Sequence, residues 1–149
     1  MEAHNEDLGP IDIVVIGYPA GAQVTGEAAE ALVDLVDRGI IRVLDVLFVV
    51  KEQDGSFSGF GAENLDSTGV GAFAAFEGAS TGMLGDEDAA EAAEALEPGS
   101  AAVLIVYENR WAAPFVGAVR RNGGEALAFQ RIPVQDIIDA LDATEPSAA

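Results

Sequence analysis

The chain of 149 residues carries 26 acidic and 7 basic side chains, for a formal net charge of −19, and half of its residues are hydrophobic. This is the length and composition of one globular domain, which excludes a largely disordered or collagen-like chain. Such acidity repels phosphate backbones and anionic bilayers, so neither nucleic acid nor stable membrane insertion is expected.

Residues 1–8 read as a polar, flexible leader. Ile11 to Tyr18 is β-branched and almost continuously apolar, the pattern of a strand covered on at least one face. Pro19 to Val24 turns the chain, and Thr25 is placed to cap the helix that follows. In that helix Ala28, Leu32, Leu35 and Val36 form one apolar stripe, and Gly39 ends it. Ile41 to Val50 is a second strand, Asp54-Gly55 a tight-turn pair, and Ser56 to Phe60 a short return. From Gly61 to Gly85 the pattern is irregular. Val70, Phe73, Ala74 and Glu77 fit a helical lid, too short and too charged for a membrane hairpin. Asp86 is expected to cap a helix from Glu87 to Leu96, closed by Pro98-Gly99. Ala101 to Tyr107 is a third long strand. Asn109 is expected to cap a helix in which Trp111, Phe115, Ala118 and Val119 share a buried face. Glu125 to Arg131 alternates like a strand, and Pro133 opens a last helix with Val134, Ile137, Ile138 and Leu141 inward. Residues 144–149 read as a flexible tail.

This order predicts an α+β fold over residues 9–143. The expected architecture is a ferredoxin-like two-layer sandwich, with a helical insertion at about 61–98 between two β-α-β halves and a C-terminal helix. A small parallel doubly wound α/β sheet is the alternative. Exposed sheet edges in such a fold predict a homo-oligomer.

Missing residue types narrow the chemistry further. The chain has no cysteine, and its one histidine is His4 in the leader. Disulfides, thiolate metal sites and cysteine nucleophiles are excluded, and zinc, copper and haem lose their ordinary ligands. Hydrolase triads lose their base. No metal and no cofactor is therefore expected. Asp54-Gly55-Ser56 lacks the later carboxylates of a calcium loop. Gly17-Tyr18-Pro19-Ala20-Gly21 is no phosphate cradle, because the proline removes an amide donor. An acidic start with no apolar stretch behind it predicts a cytoplasmic protein. The acidity suits a solvated surface or a salty interior, the latter hinted at by Lys51 alone against six arginines.

Three stretches carry a resemblance: Leu8 to Tyr18, Leu35 to Lys51, and Tyr107-Glu-Asn-Arg-Trp-Ala-Ala-Pro-Phe115. Together they resemble an uncharacterised bacterial family of small acidic proteins. That family is distantly similar to stress-linked proteins whose glycine-rich segment enters membranes. The resemblance implies the insertion-bearing fold and a non-membrane protein, because Gly69 to Gly85 is short and interrupted by Glu77. It implies no chemistry.

Six residues stand out as candidates for a ligand site or an interface. Asp12 and Asp45 lie inside apolar strands, where a carboxylate is costly unless paired. They either converge with an arginine as an acid–base or binding pair, or sit at strand ends bonded to backbone, Arg42 or Arg131. Arg42 and Asp45 are three apart, so a regular strand points them to opposite faces. Glu108, Arg110 and Trp111 mark a strand-to-helix corner, a common place for ligand sites, and Arg and Trp favour interfaces. The simplest expectation there is Asn109 capping a helix with Trp111 in the core. Function is expected to be non-enzymatic self-association, as a stress-associated structural or regulatory component; a pocket between sheet and insertion for a small molecule or substrate is the alternative.

Overall fold

Four apolar runs pair into one open antiparallel sheet. The computed structural model describes residues 8–22, 26–61, 76, 78–128 and 130–144. The strands are β1 (Ile11–Tyr18), β2 (Ile41–Lys51), β3 (Phe57–Gly61) and β4 (Ala101–Asn109), in the order β1-β4-β2-β3. The strand latest in the chain thus enters the middle. It pairs with β1 from Ile11↔Glu108 to Tyr18↔Ala101 and with β2 from Ile41↔Asn109 to Val50↔Ala101.

Every pairing is antiparallel, which overturns the parallel alternative. Strands β1 and β2, linked by a helix, do run the same way, but β4 separates them. The Asp54-Gly55 turn forces β2 and β3 to be antiparallel. Gly55 takes a φ of +93°, and Asp54 Oδ1 accepts from the Ser56 amide at 2.9 Å and its hydroxyl at 2.7 Å. The Ser56 hydroxyl, then its amide, hold the Asp54 carboxyl below the ordinary aspartate value.

Both faces of the central strands are apolar, and each face carries a helix. Helix α1 (Glu27–Asp37) sets Ala29, Leu32, Val33 and Val36 against Val46, Phe48, Val103 and Ile105. On the opposite face, Ala89 and Ala93 of α2 (Asp86–Ala95) meet Val49, Ala102 and Leu104. A Cβ on Gly59 would lie 3.0 Å from the Ala89 Cβ, so α2 sits close only because position 59 has no side chain. The two-layer sandwich expected from the sequence keeps its α+β class but not this arrangement. Its halves are β1-α1-β2 and β3-α2-β4, so α2 belongs to the second half rather than to an insertion. A bulge between Val43 and Asp45 lets both Val43 and Val46 face α1.

Local capping differs from expectation in ways the contacts explain. Gly26, at φ +93°, precedes α1, and Thr25 lies outside the described residues. Gly85 precedes α2, its amide donating to the Asp88 carboxylate at 2.9 Å. The first turn of α2 holds Asp86, Glu87 and Asp88, while its last turn has no cation of its own. Lys51 supplies one from β2: its Nζ donates to the carbonyls of Ala93 and Leu96, each at 3.0 Å. Of the helical lid expected at Val70 to Glu77, only Phe76 is described, and it is buried against α1's face.

The C-terminal third departs most from the sequence reading. A 3-10 turn (Arg110–Ala112) precedes α3 (Ala113–Arg121) and shifts its phase. Ala112 and Gly117 face inward, leaving Trp111 63% and Phe115 65% exposed. The incoming chain lies close beside this turn, where a Cβ on Gly9 would clash with the Asn109 carbonyl oxygen. No described residue from Glu125 to Arg131 is in a strand. Every residue of α4 (Val134–Thr144) is exposed, including the expected inward row Val134, Ile137, Ile138 and Leu141.

Replacing Lys51 with Met keeps the apolar stem and removes both helix-end bonds. The variant should lose about 1–3 kcal/mol in urea unfolding with an unchanged m-value.

Candidate functional site

Five consecutive residues at the end of β4 and just beyond it, Tyr107 to Trp111, take part in two polar clusters. Tyr107 lies opposite Asp12 on the face that carries α1. Asp12 Oδ2 accepts from Asn109 Nδ2 at 2.9 Å and from Arg131 Nη2 at 3.2 Å. Asn109 also donates to the Pro10 carbonyl at 3.0 Å and accepts from Trp111 Nε1 at 3.2 Å. Arg131 further donates to the Tyr107 hydroxyl. Pro10, Asp12, Asn109, Trp111 and Arg131 line a wide groove of about 870 Å³, closed on one side by residues 130–134. Asn109 therefore caps no helix; its amide ties β1 to the 3-10 turn instead.

Glu108 points to the other face and is 1% exposed. Its Oε2 accepts from the Gly9 amide at 2.9 Å. Its Oε1 lies 3.1 Å from Arg42 Nε and 3.6 Å from Arg110 Nη1. No aligned hydrogen bond reaches that oxygen, so the two guanidiniums hold it by charge. Both arginines are half-exposed, and the cluster presents one net positive charge at the surface of an acidic chain.

Asp45 stands apart from both clusters. Its Oδ1 accepts from the Val46 amide at 3.0 Å and its Oδ2 from the Leu84 amide at 2.9 Å, beside an Asp45↔Ser80 bridge. A buried carboxylate here stitches the segment before α2 to the bulge. Asp12 and Asp45 do not converge, since they lie on opposite faces. The bulge also overturns the parity expectation: Arg42 and Asp45 share a face, yet Arg42 pairs with Glu108.

Of the six candidates, Asp12 and Trp111 meet in the groove, while Arg42, Glu108 and Arg110 form the second cluster. The linking role of Asn109 and the contribution of Tyr107 were missed. Alternation along β4 was enough to place Tyr107 on the face of Asp12's strand, had the pairing of those strands been known. Among the described residues no group of three His, Cys, Asp or Glu stands together as metal ligands. Among them, too, no helix is long and apolar enough to cross a membrane.

Residues 7–145 match a family of unknown function (DUF6325). The chain belongs to that family. The match spans both clusters and the whole of α4, so all three are parts of the family's domain. No curated protein matches the chain, and no solved structure does. Membership agrees with the resemblance to an uncharacterised family and brings no activity with it.

The two clusters should respond differently to truncation. Glu108→Ala strands two arginines and the Gly9 amide, and should cost about 2–4 kcal/mol, discounted for the exposure of the arginines. Asp12→Ala removes a solvent-screened pair and one of the two bonds of the Asn109 amide, which keeps the Pro10 carbonyl, and should cost about 1 kcal/mol. Denaturant unfolding of both variants checks the contrast.

Proposed function

We propose that this domain acts by self-association, as a non-enzymatic component whose copies form a closed homo-oligomer. The observation that carries this reading is α4, an amphipathic helix whose apolar row is left uncovered by the described residues of its own chain. Ile11, Ile13 and Val15 on β1, with Trp111 and Phe115, add further exposed apolar surface. Large apolar rows left in water usually mark an interaction site. Fully burying one such side chain contributes about 1.5–3 kcal/mol, so the row alone can drive association.

A small-molecule site is the second reading, favoured by the volume of the groove at Asp12, Asn109, Trp111 and Arg131. Against it, the polar groups there already bond to one another rather than converging on empty space. A role in stress rests on the resemblance alone.

The net charge of −19 opposes association at long range, and added salt screens it over about 10 Å at 0.1 M and 3 Å at 1 M. Light scattering across a salt series should show mass rising from the 15.3 kDa chain toward a defined multiple. A monomer at every salt and at high protein concentration would sink the proposal.

A further inference from the structure

Resting on that self-association, we infer that the partner of α4 is the β1 strip of a second copy, and that two copies exchange these helices reciprocally. The strip lies on the sheet face that also carries α2. Ile11, Ile13 and Val15 project there, on the β1 edge that α2 leaves uncovered. One end opens into a second groove, about 510 Å³, lined by Gly17 and Tyr18 of the β1 end and by Ala95, Leu96 and the acidic Glu97 where α2 ends, so the charge match lies at the opposite end. The other end is cationic: Ile11 lies directly opposite Glu108, the carboxylate flanked by half-exposed Arg42 and Arg110.

Helix α4 matches this strip in three ways. Its 11 residues span about 16 Å, against about 20 Å for the strand from Ile11 to Gly17. Val134, Ile137, Ile138 and Leu141 supply a continuous apolar row. Asp136, Asp139 and Asp142 are its charged residues, with no cation among them, so a cationic end to the strip suits it. Charge complementarity selects this pairing over α4 against α4, which would set six aspartates together.

The arm leading into the chain's own α4 runs along the other face of the sheet. Arg131, three residues before α4, is bound to Asp12 and Tyr107 on the face that carries α1, opposite the strip. The helix of a second copy can approach the strip from its own side of the sheet. Because strip and helix are on one chain, a two-fold axis satisfies both copies at once and closes the assembly.

Full-length Ile13→Asp and Ile138→Asp chains test this, since both positions are exposed and far-UV circular dichroism reports whether each still folds. Each variant alone should associate at least about tenfold more weakly than the wild type in light scattering. An equimolar mixture should recover much of the loss, because one intact helix then meets one intact strip. A wild type that associates while the mixture recovers nothing overturns the exchange and leaves self-association standing. A wild type that stays monomeric overturns both. The chain has no cysteine, which permits a second measurement on the Ile13→Cys, Ile138→Cys double variant under mild oxidant. A disulfide-linked dimer in the double variant and in neither single variant supports the exchange. A disulfide within one chain, a dimer from a single variant, or no disulfide overturns it.

Discussion

The insertion of β4 between β1 and β2 is the constraint on which the rest of the structure depends. β4 is buried along nearly its whole length and apolar on both faces until Tyr107, so it must be covered above and below. That demand sets α1 on one face and α2 on the other. It also separates the two strands that α1 connects, turning helix-linked parallel neighbours into members of an antiparallel sheet. Where β4 runs out of apolar residues, its alternation continues: Tyr107 joins Asp12 on one face, and Glu108 joins Arg42 on the other. Both polar clusters are therefore consequences of one strand end.

What the sequence made legible was local. β1, β2, β3 and β4 lie within a residue or two of their predicted bounds, because β-branched runs between turn residues leave little choice. The Asp54-Gly55 turn formed for the reason its residues suggested. Pairing was not legible. Nothing in the period of Ile41 to Lys51 announces a bulge, yet one inserted residue moved Asp45 to the face of Arg42 and dissolved the imagined Asp12–Asp45 pair. Trp111 and Phe115 show the same limit in a helix, where three residues of 3-10 turn were enough to put small residues inward. The Asp12–Arg131 pair was foreseen as a combination of residues, but the arginine arrives from an irregular arm and not from a strand.

Helix α4 marks a different boundary of sequence reading. Its stripe was identified correctly as apolar and assigned to the wrong place. Periodicity shows that one face of a helix avoids water; it does not say which molecule covers that face. The Arg131 anchor is an exposed ion pair of the kind that contributes little on its own, so it positions the arm more than it stabilises the fold.

The distribution of charge adds a selective element to these unpartnered surfaces. Four of the seven cations, Arg110, Arg120, Arg121 and Arg131, fall within 22 residues, while the rest of the chain is dominated by acids. At separations beyond the screening length, two such chains repel regardless of orientation. At contact, orientation decides: acidic helix against acidic helix adds to the repulsion, whereas acidic helix against the Arg42–Arg110 end reverses its sign locally. In the proposed assembly, a strongly acidic surface opposes indiscriminate apolar contact around Val134, Ile137, Ile138 and Leu141, and favours the approach that brings the helix to the apolar strip with its one cationic end. In the proposed assembly, repulsion between single chains and selectivity at contact both follow from the same excess of carboxylates.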